Sequence, residues 1–176
     1  AIGSPFEAER DELTTLFSVL DVPVTLVKGN HDGELEPLLD TIDADVTVTP
    51  GHGTTVGDVG FAHGHTWPSP AVLESAVVCV GHEHPVVRLE DEVGGNRKER
   101  AWLRGSIAGA PFDSQYDWPL DLTGDLVVFP AFNDRSGGTW VNVPGQDFLA
   151  PFLPTGLADA EAFLLDGTRL GDYRDL

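Results

Sequence analysis

Three short histidine motifs contain the side chains best suited to chemistry in this sequence. Each motif follows a run of apolar, mostly β-branched residues. In chain order they are Gly-Asn-His-Asp at 29–32, His-Gly-His at 63–65 and Gly-His-Glu-His at 81–84. Neutral imidazole is a common metal ligand, and an amide oxygen such as that of Asn30 suits a hard cation. Each motif alone is compatible with an ordinary turn, but the three in order predict a divalent-metal site.

The residue types predict separate chemical roles. A His-x-His pair at a strand end can present one ring to each of two metals, or both rings to a single metal. His31 would face a bound phosphate, and an imidazole with a pKa near ~6.5 suits proton donation to a leaving group. Asp32 would orient that ring and raise its basicity. Two metals roughly 3.5–4 Å apart can activate water for an in-line displacement, so the predicted reaction is phosphoester hydrolysis.

The hydrophobic pattern predicts the elements that position these motifs. Ser4, Pro5 and Glu7 are typical of a capped helix start, and apolar residues then recur at helical spacing. Ligands in open α/β sheets bind beyond the carboxyl ends of the strands, so the three motifs are expected to converge. Further helices are predicted at 34–42 and 69–76, and strands at 24–27, 46–48, 59–62 and 77–80.

The second half of the chain has a different pattern. Strands are predicted at 86–89, 99–104, 126–129 and 162–165, without long helices between them. A second, antiparallel sheet is therefore expected, which makes the predicted fold class α/β, a layered sandwich. The length of 176 residues fits one domain that spans 1–176.

The chain is strongly acidic, with 29 Asp and Glu against 10 Lys and Arg and a formal net charge of −19. Molar salt shortens the Debye length to about 3 Å and would screen this repulsion, so we expect a halophilic source, with an acidic mesophilic protein as the alternative. The charge gives no support to nucleic acid as a partner. It does not exclude one either, because molar salt suppresses counterion release for any protein.

Cysteine content and hydropathy indicate the compartment. Cys79 is the only cysteine and lies in an apolar run, which predicts a buried thiol and excludes an intrachain disulfide. No apolar run approaches ~18 residues and no leader pattern opens the chain, so no membrane span or signal peptide is predicted. We therefore expect a cytoplasmic location and no membrane partner, while the oligomeric state stays open.

The order of the three motifs is similar to motifs three to five of the calcineurin-like metallophosphoesterase superfamily. Within it, the chain resembles the archaeal (haloarchaeal) ICC-like, SbcD-related phosphoesterases. Three further segments carry this resemblance, namely Leu-Arg-Gly at 103–105, Phe-Pro-Ala-Phe-Asn at 129–133 and Gly-Gly-Thr at 137–139. The resemblance extends from about Ser4 to Leu170 and implies a four-layer α/β/β/α sandwich.

The resemblance also implies a set of metal ligands. Asn30, His63 and His82 would bind one metal, and His84 would bind the other. Mn²⁺ is the metal most often associated with the family. His52 matches no ligand of the family, so it is expected to be a solvated loop residue.

A reaction is implied as well. His31 would donate a proton or stabilise the transition state, and His65 would contact the phosphate or a metal ligand. The substrate would be a phosphodiester or phosphomonoester, and a nuclease linked to DNA repair is conceivable because bacterial relatives have that association.

The sequence departs from the family pattern at its start. An Asp-x-His motif and a Gly-Asp motif should precede the helix predicted at Ser4, and the sequence contains neither there. We therefore expect an N-terminally truncated domain, without its first strand or strands, whose site is incomplete and binds one metal weakly or none. A two-metal site would need other carboxylates, of which Asp58 and Asp113 are candidates.

The alternative function is a non-catalytic module that binds a single metal or a partner protein. Trp67, Phe112 and Trp118 lie in loops that contain proline and could form a contact surface, although such aromatic residues more often cover a core. The number of metals bound per chain distinguishes the two functions.

Overall fold

The computed structural model describes residues 7–33 and 35–176, which form a mixed α/β fold with a core made mostly of sheet. The described helices are α1 (Glu7–Ser18), α2 (Glu36–Leu39), α3 (Pro70–Leu73), α4 (Ala110–Gln115) and a 3₁₀ turn (Tyr173–Asp175). The first five strands are β1 (Val24–Val27), β2 (Val46–Thr49), β3 (Thr54–Val56), β4 (Val59–Ala62) and β5 (Val77–Val80). The remaining strands are β6 (Val86–Glu90), β7 (Asn96–Ile107), β8 (Asp125–Val128), β9 (Leu157–Leu164) and β10 (Arg169–Asp172).

Eight strands form one mixed sheet. Its order is β10-β9-β7-β8-β5-β4-β3, and β6 pairs with the first part of the long strand β7. β4, β5 and β8 run parallel to one another, whereas the other pairings are antiparallel. The parallel strands have helices and loops on their faces, which explains why β5 is a continuous apolar run with three buried residues.

The main hydrophobic core lies against this sheet. Val80, Leu103 and Val128 are almost fully buried and come from adjacent strands. Trp67, Phe112 and Phe152 contact one another at the edge of that core, with ring centroids 5.7–6.0 Å apart. This core supports the ends of β4 and β5, where two of the histidine motifs lie.

A second, smaller apolar cluster belongs to the N-terminal elements. β1 and β2 form a separate two-stranded parallel sheet, in register from Val24 opposite Val46 to Val27 opposite Thr49. Its buried members come from α1, α2 and the turn that follows, and they are Phe17, Leu38 and Ile42. The Asn30 motif therefore extends from a different sheet than the other two motifs.

Most of the predicted strands are confirmed, but the helices are shorter than predicted. The predicted helix 34–42 is only Glu36–Leu39, and the helix predicted over 69–76 is only Pro70–Leu73. The predicted helix start at Ser4 lies outside the described residues. Four elements were not predicted, and they are Thr54–Val56, Ala110–Gln115, Arg169–Asp172 and the 3₁₀ turn Tyr173–Asp175.

The predicted separate antiparallel sheet was wrong. β8 pairs parallel with β5 on one edge and antiparallel with β7 on the other, so the antiparallel strands continue the same sheet. Of the three aromatic residues considered for a contact surface, two cover the core. Phe112 is buried and Trp67 packs against it, whereas Trp118 is exposed. Among the described helices, none has the length and apolar character needed to cross a membrane.

Candidate metal centre

The three histidine motifs converge at the carboxyl ends of β1, β4 and β5. β4 and β5 are parallel neighbours, so His63 and His82 emerge at the same edge of the sheet. The backbone N–H groups of Gly81 and His82 both donate to the His63 carbonyl, at 3.0 and 2.7 Å. The β1 motif is brought to this edge by the chain after β2, where the His63 N–H donates to the Gly51 carbonyl at 3.0 Å.

Asn30, His63 and His82 form a group of three donor atoms. The Oδ1 atom of Asn30 lies 3.1 Å from Nε2 of His63, which lies 3.2 Å from Nδ1 of His82. Metal bonds to nitrogen and oxygen are about 2.0–2.2 Å long, so neighbouring ligands of one ion lie about 2.9–3.5 Å apart. Both distances from the His63 Nε2 atom match the spacing of neighbouring ligands on a single divalent cation.

The two rings are held in the neutral form that a metal requires. Burial lowers the pKa of His63 from 6.5 to about 4, and the neighbouring His82 and His65 add to the shift. Burial also lowers the pKa of His82, although the nearby Glu83 carboxylate acts in the opposite direction. Neutral imidazole is the ligating species, so neither ring has to lose a proton to bind a metal near neutral pH.

Two glycines allow this close approach. A Cβ atom on Gly29 would lie 2.8 Å from Cε1 of His63, which real Cβ atoms do not tolerate. Gly64 has φ +107°, in the left-handed region that favours glycine, and its position lies against the Cβ of His82. Gly29 and Gly64 therefore have a steric role in bringing the motifs together.

His65 packs beside the donor group. Its ring centroid is 5.1 Å from that of His63 and 6.0 Å from that of His82. Its Nδ1 atom is buried and, among the described residues, has no hydrogen-bond partner. Burying a polar atom without a hydrogen-bond partner costs free energy, so the Nδ1 atom of His65 is an additional indication that this cluster binds a ligand.

The ring of His84 is directed at Gly137. Its backbone is left-handed, with φ +49°, and its Nδ1 atom lies 3.3 Å from the Gly137 carbonyl. The ring lines a cleft of about 310 Å³ together with Lys98, Arg100 and Asn133. Over residues 7–33 and 35–176 no hydrogen bond joins His84 to the three-donor group, but its charge is near enough to act on both His63 and His82. The assignment of His84 as a ligand of a second metal stays a prediction.

His31 and Asp32 occupy the loop after β1. His31 is exposed, next to Asn30, and is near enough for its charge to act on His82. The carboxylate of Asp32 accepts a hydrogen bond from the Gly29 N–H at 2.6 Å. Asp32 therefore orders the loop backbone, and its role in orienting the His31 ring stays a prediction.

Neither alternative carboxylate reaches the group. Asp58 precedes β4, and the whole strand separates it from His63. Asp113 is on α4, which follows the opposite end of β7, where Ser106 pairs with the start of β8. Within the described ranges, no three or more His, Cys, Asp or Glu side chains are arranged as a metal site, so the candidate group is completed only by the Asn30 amide.

Known proteins give no further guidance. No model of a known protein family matches the chain, and no match was found among curated proteins or solved structures. The family resemblance therefore rests on the motifs, and the function on the geometry of the site.

One buried residue of the site was not assigned a role from the sequence. Glu83 lies between His82 and His84 and is only 1% exposed. Its position in a motif rich in Gly and His favours an exposed turn, so sequence reasoning had no basis for predicting burial. His52 is exposed, as expected, and Cys79 is buried, with a pKa raised by that burial.

Proposed function

We propose that this chain carries a divalent-metal site of a phosphoesterase that hydrolyses a phosphodiester or phosphomonoester. One observation carries the proposal, namely that donor atoms of Asn30 and His82 lie 3.1 and 3.2 Å from Nε2 of His63, and that the three side chains come from the ends of three strands. Mn²⁺ is the proposed metal because the motif order resembles that of the calcineurin-like metallophosphoesterases.

Each side chain has a distinct part in the proposed reaction. A metal held by Asn30, His63 and His82 would supply Lewis-acid polarisation of a phosphoryl oxygen and a lower pKa for an attacking water. His31 is exposed beside this group, where its ring can donate a proton to the leaving oxygen. His65 would contact the phosphate or support a ligand, and its buried Nδ1 favours the supporting part.

A two-metal mechanism requires more than the three-donor group. His84 is the proposed ligand for a second metal, but its ring lies against Gly137 and the neighbouring cleft. The second candidate function is a non-catalytic module that binds one metal, for which the three-donor group alone would suffice. The number of metals bound and the presence of turnover distinguish these two functions.

Other parts of the proposal follow from the resemblance. The proposed architecture is the four-layer α/β/β/α sandwich that the resemblance implies. DNA is a possible substrate, although the net charge of −19 does not favour it. The proposed location is the cytoplasm of a halophile.

The test is a titration of the chain with Mn²⁺ in high KCl, while hydrolysis of an aryl phosphodiester is followed. Replacing Asn30, His63 or His82 with alanine should weaken Mn²⁺ binding about 10-fold or more, because each change removes one ligand. His52→Ala is the matched control, since that histidine is exposed, and it should bind Mn²⁺ as the wild type does.

The outcomes separate the hypotheses. Two Mn²⁺ ions with turnover support a working phosphoesterase, and one ion without turnover supports a single-metal site, either that of the module or an incomplete phosphoesterase site. The metal site itself is refuted if the wild type binds no Mn²⁺, or if His52→Ala weakens binding as much as the three ligand variants do.

A further inference from the structure

Glu83 is a buried carboxylate in the middle of the third histidine motif. It is 1% exposed, and both oxygens lie 3.0 Å from the backbone nitrogen of Leu149. One of them also accepts from the Ala150 N–H at 3.0 Å. No lysine or arginine pairs with Glu83 in the ranges that the structure describes, so backbone N–H groups are its counterpart.

Burying a carboxylate in this way costs free energy. Removing a carboxylate from water carries a large desolvation penalty, which hydrogen bonds to the charged oxygens partly offset. A buried apolar side chain would avoid the penalty altogether. What the carboxylate provides is a directional connection between two segments that are 66 and 67 residues apart in sequence.

The connection completes the support of the turn that carries two histidines. On one side, the His82 N–H donates to the His63 carbonyl at 2.7 Å. On the other side, the Glu83 carbonyl accepts from the Thr139 N–H at 3.3 Å. The Glu83 side chain points inward between these supports, while His82 lies near His63 and His84 lies near Gly137.

We propose that Glu83 is a positioning residue for the metal centre, which sets the directions of the His82 and His84 rings by holding their turn against residues 149–150. This inference rests on the proposed function. It adds a dependence of metal affinity on the 149–150 segment, neither residue of which is a proposed ligand.

The first test replaces the carboxylate with its closest isostere. Glu83→Gln keeps the size of the side chain but puts an amide NH₂ group against the N–H groups of residues 149–150. The Kd for Mn²⁺ should rise about 10- to 100-fold, the range typical of residues that support metal ligands. Leu157→Ala is the control, because Leu157 is buried at the opposite end of the sheet. It should lower the Tm and leave the Kd unchanged.

A second test uses the wild-type chain and does not depend on a variant that folds. Coupling between two sites is reciprocal, so if the Glu83 contacts support metal binding, Mn²⁺ must support those contacts. Saturation with Mn²⁺ should therefore slow amide hydrogen exchange at Leu149 and Ala150. The Ile107 amide, which donates to the Gly124 carbonyl at the opposite end of the sheet, should be slowed less.

The results distinguish this inference from the proposed function. A wild type that binds no Mn²⁺ refutes the proposed function and this inference with it. If the wild type binds Mn²⁺ but Glu83→Gln lowers the Tm without raising the Kd for Mn²⁺, the inference about Glu83 is refuted and the proposed function is not. The same conclusion follows if Mn²⁺ slows amide exchange at residues 149–150 no more than it does at Ile107.

Discussion

At the scale of the residue, the site depends on imidazole rings that stay neutral. His63 is partly buried and lies within 3.2 Å of a second imidazole nitrogen, so protonation would place a charge in a poorly solvated, already crowded position. The lowered pKa of His63 reflects the free-energy cost of placing a positive charge there. Asn30 contributes a donor without a charge, which lets the group assemble in the absence of a bound cation.

This shift has a consequence for stability. The pKa of His63 is about 4 when folded and near 6.5 when unfolded, so between these values the unfolded chain binds more protons. His63 should therefore destabilise the fold as the pH falls from about 6.5 to about 4, by on the order of 1–3 kcal/mol. Above pH 6.5 this penalty is absent.

The measurement is urea unfolding without metal at several pH values in this window. His63→Asn should lose less stability on acidification than the wild type does, because it removes the titrating ring. His52→Asn, an exposed control, should follow the wild type. If the free energy of unfolding falls in parallel for the wild type and His63→Asn as the pH is lowered, the assigned shift in the pKa of His63 is contradicted.

At the scale of the element, the candidate centre joins two sheets. Asn30 follows β1 of the two-stranded sheet, whereas His63 and His82 follow strands of the large sheet. The N-terminal elements have their own small apolar cluster, and several large apolar side chains around them are exposed, including Val19 at 72% and Val22 at 61%. We infer that the N-terminal elements are the less stable part of the described chain.

A bound cation should stabilise those elements in particular. Mn²⁺ held by residues from both sheets would oppose their separation, so amide exchange in β1 and β2 should slow when the metal is added. Asn30→Ala removes the only proposed ligand on the β1–β2 side and should abolish this protection. Equal protection in the variant and the wild type would show that Asn30 is not a ligand.

Local patterns predicted these elements better than their pairing. Continuous apolar runs such as Val77–Val80 were enough to predict the strands and the sheet edge at which His63 and His82 meet. The pairing of β8 with both β5 and β7 depends on long-range contacts that no periodicity contains, which is why one sheet was predicted as two.

The candidate site shows the same contrast between what local sequence patterns predict and what depends on distant residues. The order of motifs predicted the donor group, but the direction of His84 depends on a left-handed backbone and on Gly137, 53 residues away. The burial of Glu83 likewise depends on residues 149–150, and nothing in the motif indicates them. Spacing along the chain therefore predicted which residues meet, but not how each side chain is supported.

At the scale of the whole molecule, charge is the dominant feature. The chain carries 29 acidic and 10 basic side chains, so repulsion among carboxylates exceeds the attraction available from ion pairs. Several cations are already paired at the surface, as Lys28 is with Glu36 and Arg88 with Glu90. Exposed pairs of this kind contribute little to stability and are weakened by salt.

Salt should therefore stabilise this protein. Raising KCl from 0.1 to 1 M shortens the Debye length from about 10 to about 3 Å and screens the net repulsion, so the Tm should increase. A thermal unfolding series in KCl, with sucrose as an uncharged control, measures the effect. A Tm that falls with KCl would mean that the surface ion pairs outweigh the repulsion.

The most direct measurement is the coordination of Mn²⁺ in the loaded chain. Pulsed electron paramagnetic resonance detects the nitrogen nuclei bound to Mn²⁺ and counts the coordinated imidazoles. The wild type should show two imidazole nitrogens, from His63 and His82, and His82→Ala should show one. A wild-type spectrum without coordinated nitrogen, or one that His82→Ala leaves unchanged, would contradict the proposed metal centre.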